Sequence, residues 1–100
     1  MSLVVHEDAA AELTAAADWY DVAQVGLGDE LLVEAERVLD AIEAAPTTWR
    51  FVPGSSVVRR FPFTRFPYVA YFAIRDGQVL VLAFGHTSRK PGYWRDRLKR

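Results

Sequence analysis

Two long apolar runs joined by Asp76-Gly77 constrain this chain more than any other feature. Tyr68-Val69-Ala70-Tyr71-Phe72-Ala73-Ile74 precedes the pair, and Val79-Leu80-Val81-Leu82-Ala83-Phe84 follows it. Both runs are rich in β-branched and aromatic residues, which suit a pleated, buried surface. Asp-Gly accepts the positive φ angles of a two-residue hairpin turn, so the runs are expected to pair antiparallel. That turn sets Arg75 opposite Gln78, Phe72 opposite Val81 and Tyr71 opposite Leu82. One face then carries Tyr68, Ala70, Phe72, Ile74, Val79, Val81 and Ala83, and the other Val69, Tyr71, Ala73, Leu80, Leu82 and Phe84. An antiparallel sheet with one wet face alternates apolar and polar residues. This one is apolar on both faces, and each needs a cover.

The first half of the chain supplies one cover. Ala9, Leu13, Ala16, Ala17 and Tyr20 recur at helical spacing, with Asp8 as the expected N-cap and Glu12, Asp18 and Asp21 mostly off the stripe. Gly26-Leu27-Gly28 breaks this helix, and Asp29 is expected to restart a second one. The second stripe is Leu31, Leu32, Ala35, Val38, Leu39 and Ile42, ended by Pro46. The two helices form an antiparallel hairpin whose alanines permit close approach. Leu3-Val4-Val5 and Val57-Val58-Arg59-Arg60-Phe61 read as two further strands. The order β-α-α-β-β-β makes one α+β domain over residues 1–100, a helical hairpin on a small, mainly antiparallel sheet. For the other face, two covers fit the pattern. Either the segment Pro91-Gly92-Tyr93-Trp94-Arg95-Asp96-Arg97 folds over it, or a partner protein does, since large exposed apolar patches mark interaction sites.

Charge divides along the same line. Residues 1–50 hold eleven acids and two bases, residues 51–100 ten bases and two acids, giving −9 and +8 within a net charge of −1. Basic surface gathered on one side attracts phosphates or an acidic protein segment, unless the halves neutralise each other where they pack. Cysteine is absent, which excludes disulfides, thiolate metal sites and a cysteine nucleophile. His6 and His86 have no ligand-spaced neighbours, so neither metal nor cofactor is expected. Gly26-Leu27-Gly28 lacks the strand-turn-helix context of a nucleotide loop. With no secretory start and no apolar run near the ~20 residues of a membrane span, the chain is expected to be soluble and cytoplasmic.

Several strings sharpen this outline into a resemblance. Leu13-Thr14-Ala15-Ala16-Ala17-Asp18-Trp19-Tyr20 followed by Gly26-Leu27-Gly28 resembles the first helix and inter-helix turn of the RelE/ParE toxin superfamily. Val58-Arg59-Arg60-Phe61 and Arg65-Phe66-Pro67-Tyr68 resemble its second strand and the approach to the third. His86-Thr87-Ser88-Arg89-Lys90-Pro91-Gly92-Tyr93-Trp94-Arg95-Asp96-Arg97 is similar to the closing string of the ParE-like, plasmid-stabilisation group, and is the most specific of the three. The resemblance covers nearly the whole chain and adds a short C-terminal helical segment to the expected fold.

The resemblance implies the toxin of a type II toxin–antitoxin system, held in check by a cognate antitoxin. ParE-like members are understood to poison DNA gyrase by binding it, without chemistry of their own. Arg89, Tyr93, Trp94, Arg95 and Arg97 would then anchor the target, in keeping with the Tyr, Trp and Arg enrichment of interface hot spots. The antitoxin would cover Tyr71, Leu80, Leu82 and Phe84, with acidic residues meeting the arginines. RelE-like members instead cleave messenger RNA on the ribosome. For that chemistry Arg59, Arg60, Arg65 and Arg89 are candidates to stabilise phosphate charge, and Tyr93 and His86 to move protons. The lysine pair near the arginines of such nucleases has no counterpart around residues 57–66, and the chain ends Arg97-Leu98-Lys99-Arg100 without their terminal histidine. A non-toxic interaction protein of the same fold is the third reading.

Overall fold

The computed structural model describes residues 1–99; Arg100, the last base of the basic half, lies outside the described residues. Strand β1 (Ser2–Val5) leads into helices α1 (Glu7–Ala23) and α2 (Leu27–Ala44). Strands β2 (Val58–Pro62), β3 (Tyr68–Arg75) and β4 (Gln78–His86) follow, and a short 3-10 segment (Arg95–Lys99) closes the chain. The sheet order is β1-β4-β3-β2, with β1 parallel to β4 and the other two pairings antiparallel. This is the α+β arrangement expected from the sequence.

Asp76 and Gly77 take φ angles of 52° and 72°, so the tight turn forms as expected and pairs Arg75 with Gln78 and Phe72 with Val81. The register then shifts. Tyr71 faces Ala83 rather than Leu82, because a β-bulge opposite Tyr71 and Phe72 takes up one residue of β4. A one-residue slip turns every following side chain to the other face. Phe84 therefore joins Ala70, Phe72, Val79 and Val81 under the helices, while Ala83 moves to the far side with Val69, Tyr71, Ala73 and Leu82.

Both faces are covered by the chain itself. Leu31, Ala35, Val38 and Ile42 of α2 and Ala9, Ala16 and Ala17 of α1 pack on the first. Trp94, with Tyr93 and Leu98 beside it, closes the second together with Val52 and Val58. Trp94 is only 2% exposed and Leu82 is fully buried. Of the two covers that fitted the pattern, the tail is the one observed. Arg75 holds it there by donating to the Leu98 carbonyl.

Helix starts differ from expectation. His6, not Asp8, caps α1: its Nδ1 accepts from the Asp8 N–H at 3.0 Å while its own N–H donates to the Val81 carbonyl, so the cap also ties the helix to the sheet. Asp8 falls in the first turn, where an acid still complements the helix dipole. Helix α2 resumes at Leu27, two residues ahead of Asp29, with Gly26 at φ 91° supplying the turn. Gly28 lies inside the helix. Its N–H donates to Asp21 Oδ1 at 2.7 Å, and a Cβ there would sit 2.3 Å from the Ala17 carbonyl oxygen. The second glycine thus permits helix contact rather than chain reversal.

Gly28→Ala separates these two roles. Helix propensity alone would stabilise the variant by about 1 kcal/mol, whereas the clash should destabilise it by about 1–3 kcal/mol. Urea unfolding is expected to show a lower midpoint; a higher one would mean that the helices part without cost.

Candidate functional site

The expected site residues do not form one cluster. Arg59 is drawn into the loop before β2, where it donates to the Thr47 and Trp49 carbonyls at 3.1 and 2.7 Å and lies 4.0 Å above the Phe51 ring. Arg65 pairs with Glu30 on α2. Arg60, His86, Arg89, Tyr93 and Arg97 do come together, around the end of β4 and the start of the tail.

Glu12 organises that end. At the middle of α1, its Oε1 accepts from Arg97 at 2.8 Å and from the Phe84 N–H at 3.1 Å; its Oε2 accepts from Arg97 at 3.1 Å. Arg89 reaches the same Oε2 at 3.4 Å. Arg97 also donates to the Leu82 carbonyl at the bulge and stands 3.7 Å from Asp8. The Phe84 N–H needs this carboxylate because β1 ends level with Val81 and offers no strand partner further along. The guanidinium of Arg97 is 13% exposed and the carboxyl of Glu12 16%, so the fork-on-fork pair is largely shielded from water. Bonding to Glu12 raises the Arg97 pKa further above its ordinary value, against the opposing effect of burial.

Tyr93 lies across β4 where Gly85 leaves room; a Cβ on Gly85 would come within 2.7 Å of its hydroxyl. That hydroxyl is buried close to the Glu12 carboxylate. Burial first, and the Glu12 charge second, push its pKa far above the usual phenol range. The Arg89 guanidinium sits 3.6 Å from the Tyr93 ring centroid, a cation–π contact. His86 spends Nδ1 on Ser88, accepting from its N–H at 3.0 Å, and packs edge-on to Tyr68.

A groove of about 650 Å³ opens beside this cluster, between α1 and the end of the sheet. Ala15, Trp19, Tyr20, Tyr68 and Phe84 line it, and Glu12, His86 and Arg89 stand at its polar side. Trp19 is 68% exposed, and Val22 and Val25, next along the chain, are 90% and 94% exposed. An uncovered apolar surface lies here. The sequence reading placed it on the far sheet face, but Tyr71 and Leu82 there are sealed by Trp94, Phe84 has crossed to the helix side, and only Leu80 stays partly open. Of the residues expected to anchor a target, Trp94 is buried and Arg97 is half-buried against Glu12; Arg89 and Arg95 are exposed and Tyr93 half-buried.

Two acids escaped the sequence reading. Glu12 sits three residues after Ala9 and four before Ala16, on the buried stripe rather than off it. Glu34 sits between Leu31 and Val38 in the same way, is 6% exposed, and accepts from the N–H groups of Thr64 and Arg65. A carboxylate on an apolar stripe was the available signal, since a charge is buried only when partnered. Among the described residues, no group of three or more His, Cys, Asp or Glu could hold a metal ion, and no helix is long and apolar enough to cross a membrane.

The Glu12–Arg97 pair should behave as one unit. Arg97→Met alone leaves a shielded carboxylate unpaired and is expected to cost about 3 kcal/mol. The double variant with Glu12→Gln should recover part of that loss in a denaturant double-mutant cycle. Additive losses would show that the pair contributes nothing of its own.

Tyr68, Tyr71 and Tyr93 all carry pKa values raised above 10.0, chiefly by burial. Their protonated forms are favoured by folding, so this stability is complete below pH 10 and is lost as pH rises through the folded values. Phenolate absorbance should show Tyr93 ionising only as the protein unfolds, a step that Tyr93→Phe removes. Ionisation of Tyr93 in the folded protein near pH 10 would contradict the burial.

No match was found among curated proteins. A solved structure of the chromosomal ParDE TA system from P. aeruginosa is similar in fold, with a TM-score of 0.77 and 22% identity over 86% of this chain and 95% of that one. The family described as ParE toxin of type II toxin-antitoxin system, parDE, matches residues 3–91, which takes in both helices, all four strands and Arg89. With the fold and the sequence in agreement, the chain belongs to the ParE toxin family.

Proposed function

We propose that this chain is the toxin of a type II toxin–antitoxin pair, that it acts by binding and poisoning DNA gyrase, and that a cognate antitoxin neutralises it in the cytoplasm. Family membership supports the toxin role. The choice of binding over RNA cleavage rests on one observation: the proton-transfer candidates and two of the four candidate phosphate arginines are already committed. The Tyr93 hydroxyl is buried and hard to ionise, His86 Nδ1 is bonded to Ser88, and Arg59 and Arg65 are held by carbonyls or a carboxylate. General acid–base catalysis favours a group whose pKa lies near the working pH, and Tyr93 is far from it. Arg89 and Arg95, exposed beside half-buried Tyr93, remain as anchors for the target.

For the antitoxin, the groove along α1 is the better fit than the sealed sheet face. Its apolar lining suits an amphipathic or extended segment, and Arg89 at its edge suits an acidic residue in that segment. Trp19, two-thirds exposed at the groove wall, supplies the largest apolar contact.

Induction in a bacterial host is expected to arrest growth, with gyrase–DNA complexes accumulating and messages left intact. Co-expression of the neighbouring reading frame should relieve the arrest, and Trp19→Glu should weaken that relief without reducing toxicity. Primer extension showing cuts at ribosome-bound codons would replace gyrase poisoning with RNA cleavage. Growth without arrest would leave a non-toxic protein of the same fold.

A further inference from the structure

Among the described residues, Arg60 on the tail face of the sheet has no carboxylate partner. It lies half-buried in β2. Arg60 and Tyr71 are register partners across β2 and β3 and line one cleft. Arg60 and Arg89 line the same cleft of about 240 Å³, with Thr87, Tyr71, Val52 and Pro53. No acid is among the lining residues. Two guanidinium groups border one space whose lining holds no acid; Arg89 is paired with Glu12 outside that lining, and the space itself offers Arg60 no counter-charge.

We propose that this cleft receives one carboxylate side chain, an Asp or Glu of an acidic segment on a partner protein. Arg60 and Arg89 form its cationic walls, and Thr87 offers a hydroxyl. The cleft is smaller than the roughly 300 Å³ at which small-molecule sites begin, so it fits a side chain better than a nucleotide. The rest of its lining is apolar, which suits the methylene stem of an acidic residue. A nucleic-acid backbone needs several cations in a row, whereas here prolines 53 and 91 flank the charge. Arg89 also borders the groove along α1, so a segment lying in that groove can continue into the cleft. Its bond to Glu12, at 3.4 Å, is the longest that Glu12 makes. The proposal rests on the chain working through a protein partner, and it deepens that reading by naming where the partner's acid is held.

The test is an NMR titration of the whole chain with the capped tripeptide N-acetyl-Leu-Glu-Leu-amide, its Gln counterpart, and hexauridylate RNA. The Glu peptide is expected to move the Nε–H signals of Arg60 and Arg89 and the amide of Thr87, and the Gln peptide to leave them in place. Arg60→Gln should weaken binding about tenfold, as loss of one charge-assisted hydrogen bond implies. Arg37→Gln, on the exposed side of α2, should not change it. Arg89→Gln, at a position 55% exposed, gives the same reading should Arg60→Gln unfold the chain. Equal binding of the Gln peptide, RNA moving these signals while the Glu peptide does not, or silence with all three probes would each overturn the proposal. None of these outcomes depends on growth arrest, so the cleft and the toxin reading fail separately.

Discussion

The carboxylate of Glu12 is the point at which the two halves of this molecule are joined. It satisfies the Phe84 N–H that the short strand β1 leaves without a partner, and it holds Arg97, which in turn takes the Leu82 carbonyl at the bulge. Helix, sheet and tail therefore meet in one ionic knot. The chain tolerates a charge on the buried stripe of α1 because every lone pair on that charge that faces inward has a donor. Remove the knot and the tail loses its main tether besides Arg75.

Sealing of the second sheet face follows from that tether. Fully apolar strands normally signal helices on both sides or a partner. Here a single-residue bulge and a tail built around Trp94 do the work of a second layer. The consequence for function is a change of address. Open apolar surface lies along α1, beside Trp19, where aromatic rings and small alanines line a groove. Exposed Val22 and Val25 carry that character towards the inter-helix turn.

Part of the charge division of the sequence is spent within the molecule. Arg65–Glu30, Arg89–Glu12, Arg97–Glu12 and Arg97–Asp8 all link the basic half to the acidic half. Neutralisation across the packing seam, the plainer of the two explanations, accounts for these four contacts. Exposed pairs of this kind add little stability. Among the described residues they leave Arg60 without a carboxylate and Arg95 towards solvent, while Arg89, though paired, stays exposed.

Sequence alone determined the element order, the turn at Asp76-Gly77 and the presence of two apolar sheet faces, because local dihedral preference and side-chain periodicity are properties of neighbouring residues. It also carried the family, through strings that need no coordinates to compare. What it did not determine was anything set by residues distant in the chain. The bulge that sends Phe84 under the helices, the contact that requires Gly28, and the capture of Arg97 by a residue 85 positions away each depend on which surfaces meet in three dimensions. So did the location of the open groove. Periodicity tells that a face is buried, but only packing decides whether the chain's own tail or another molecule buries it.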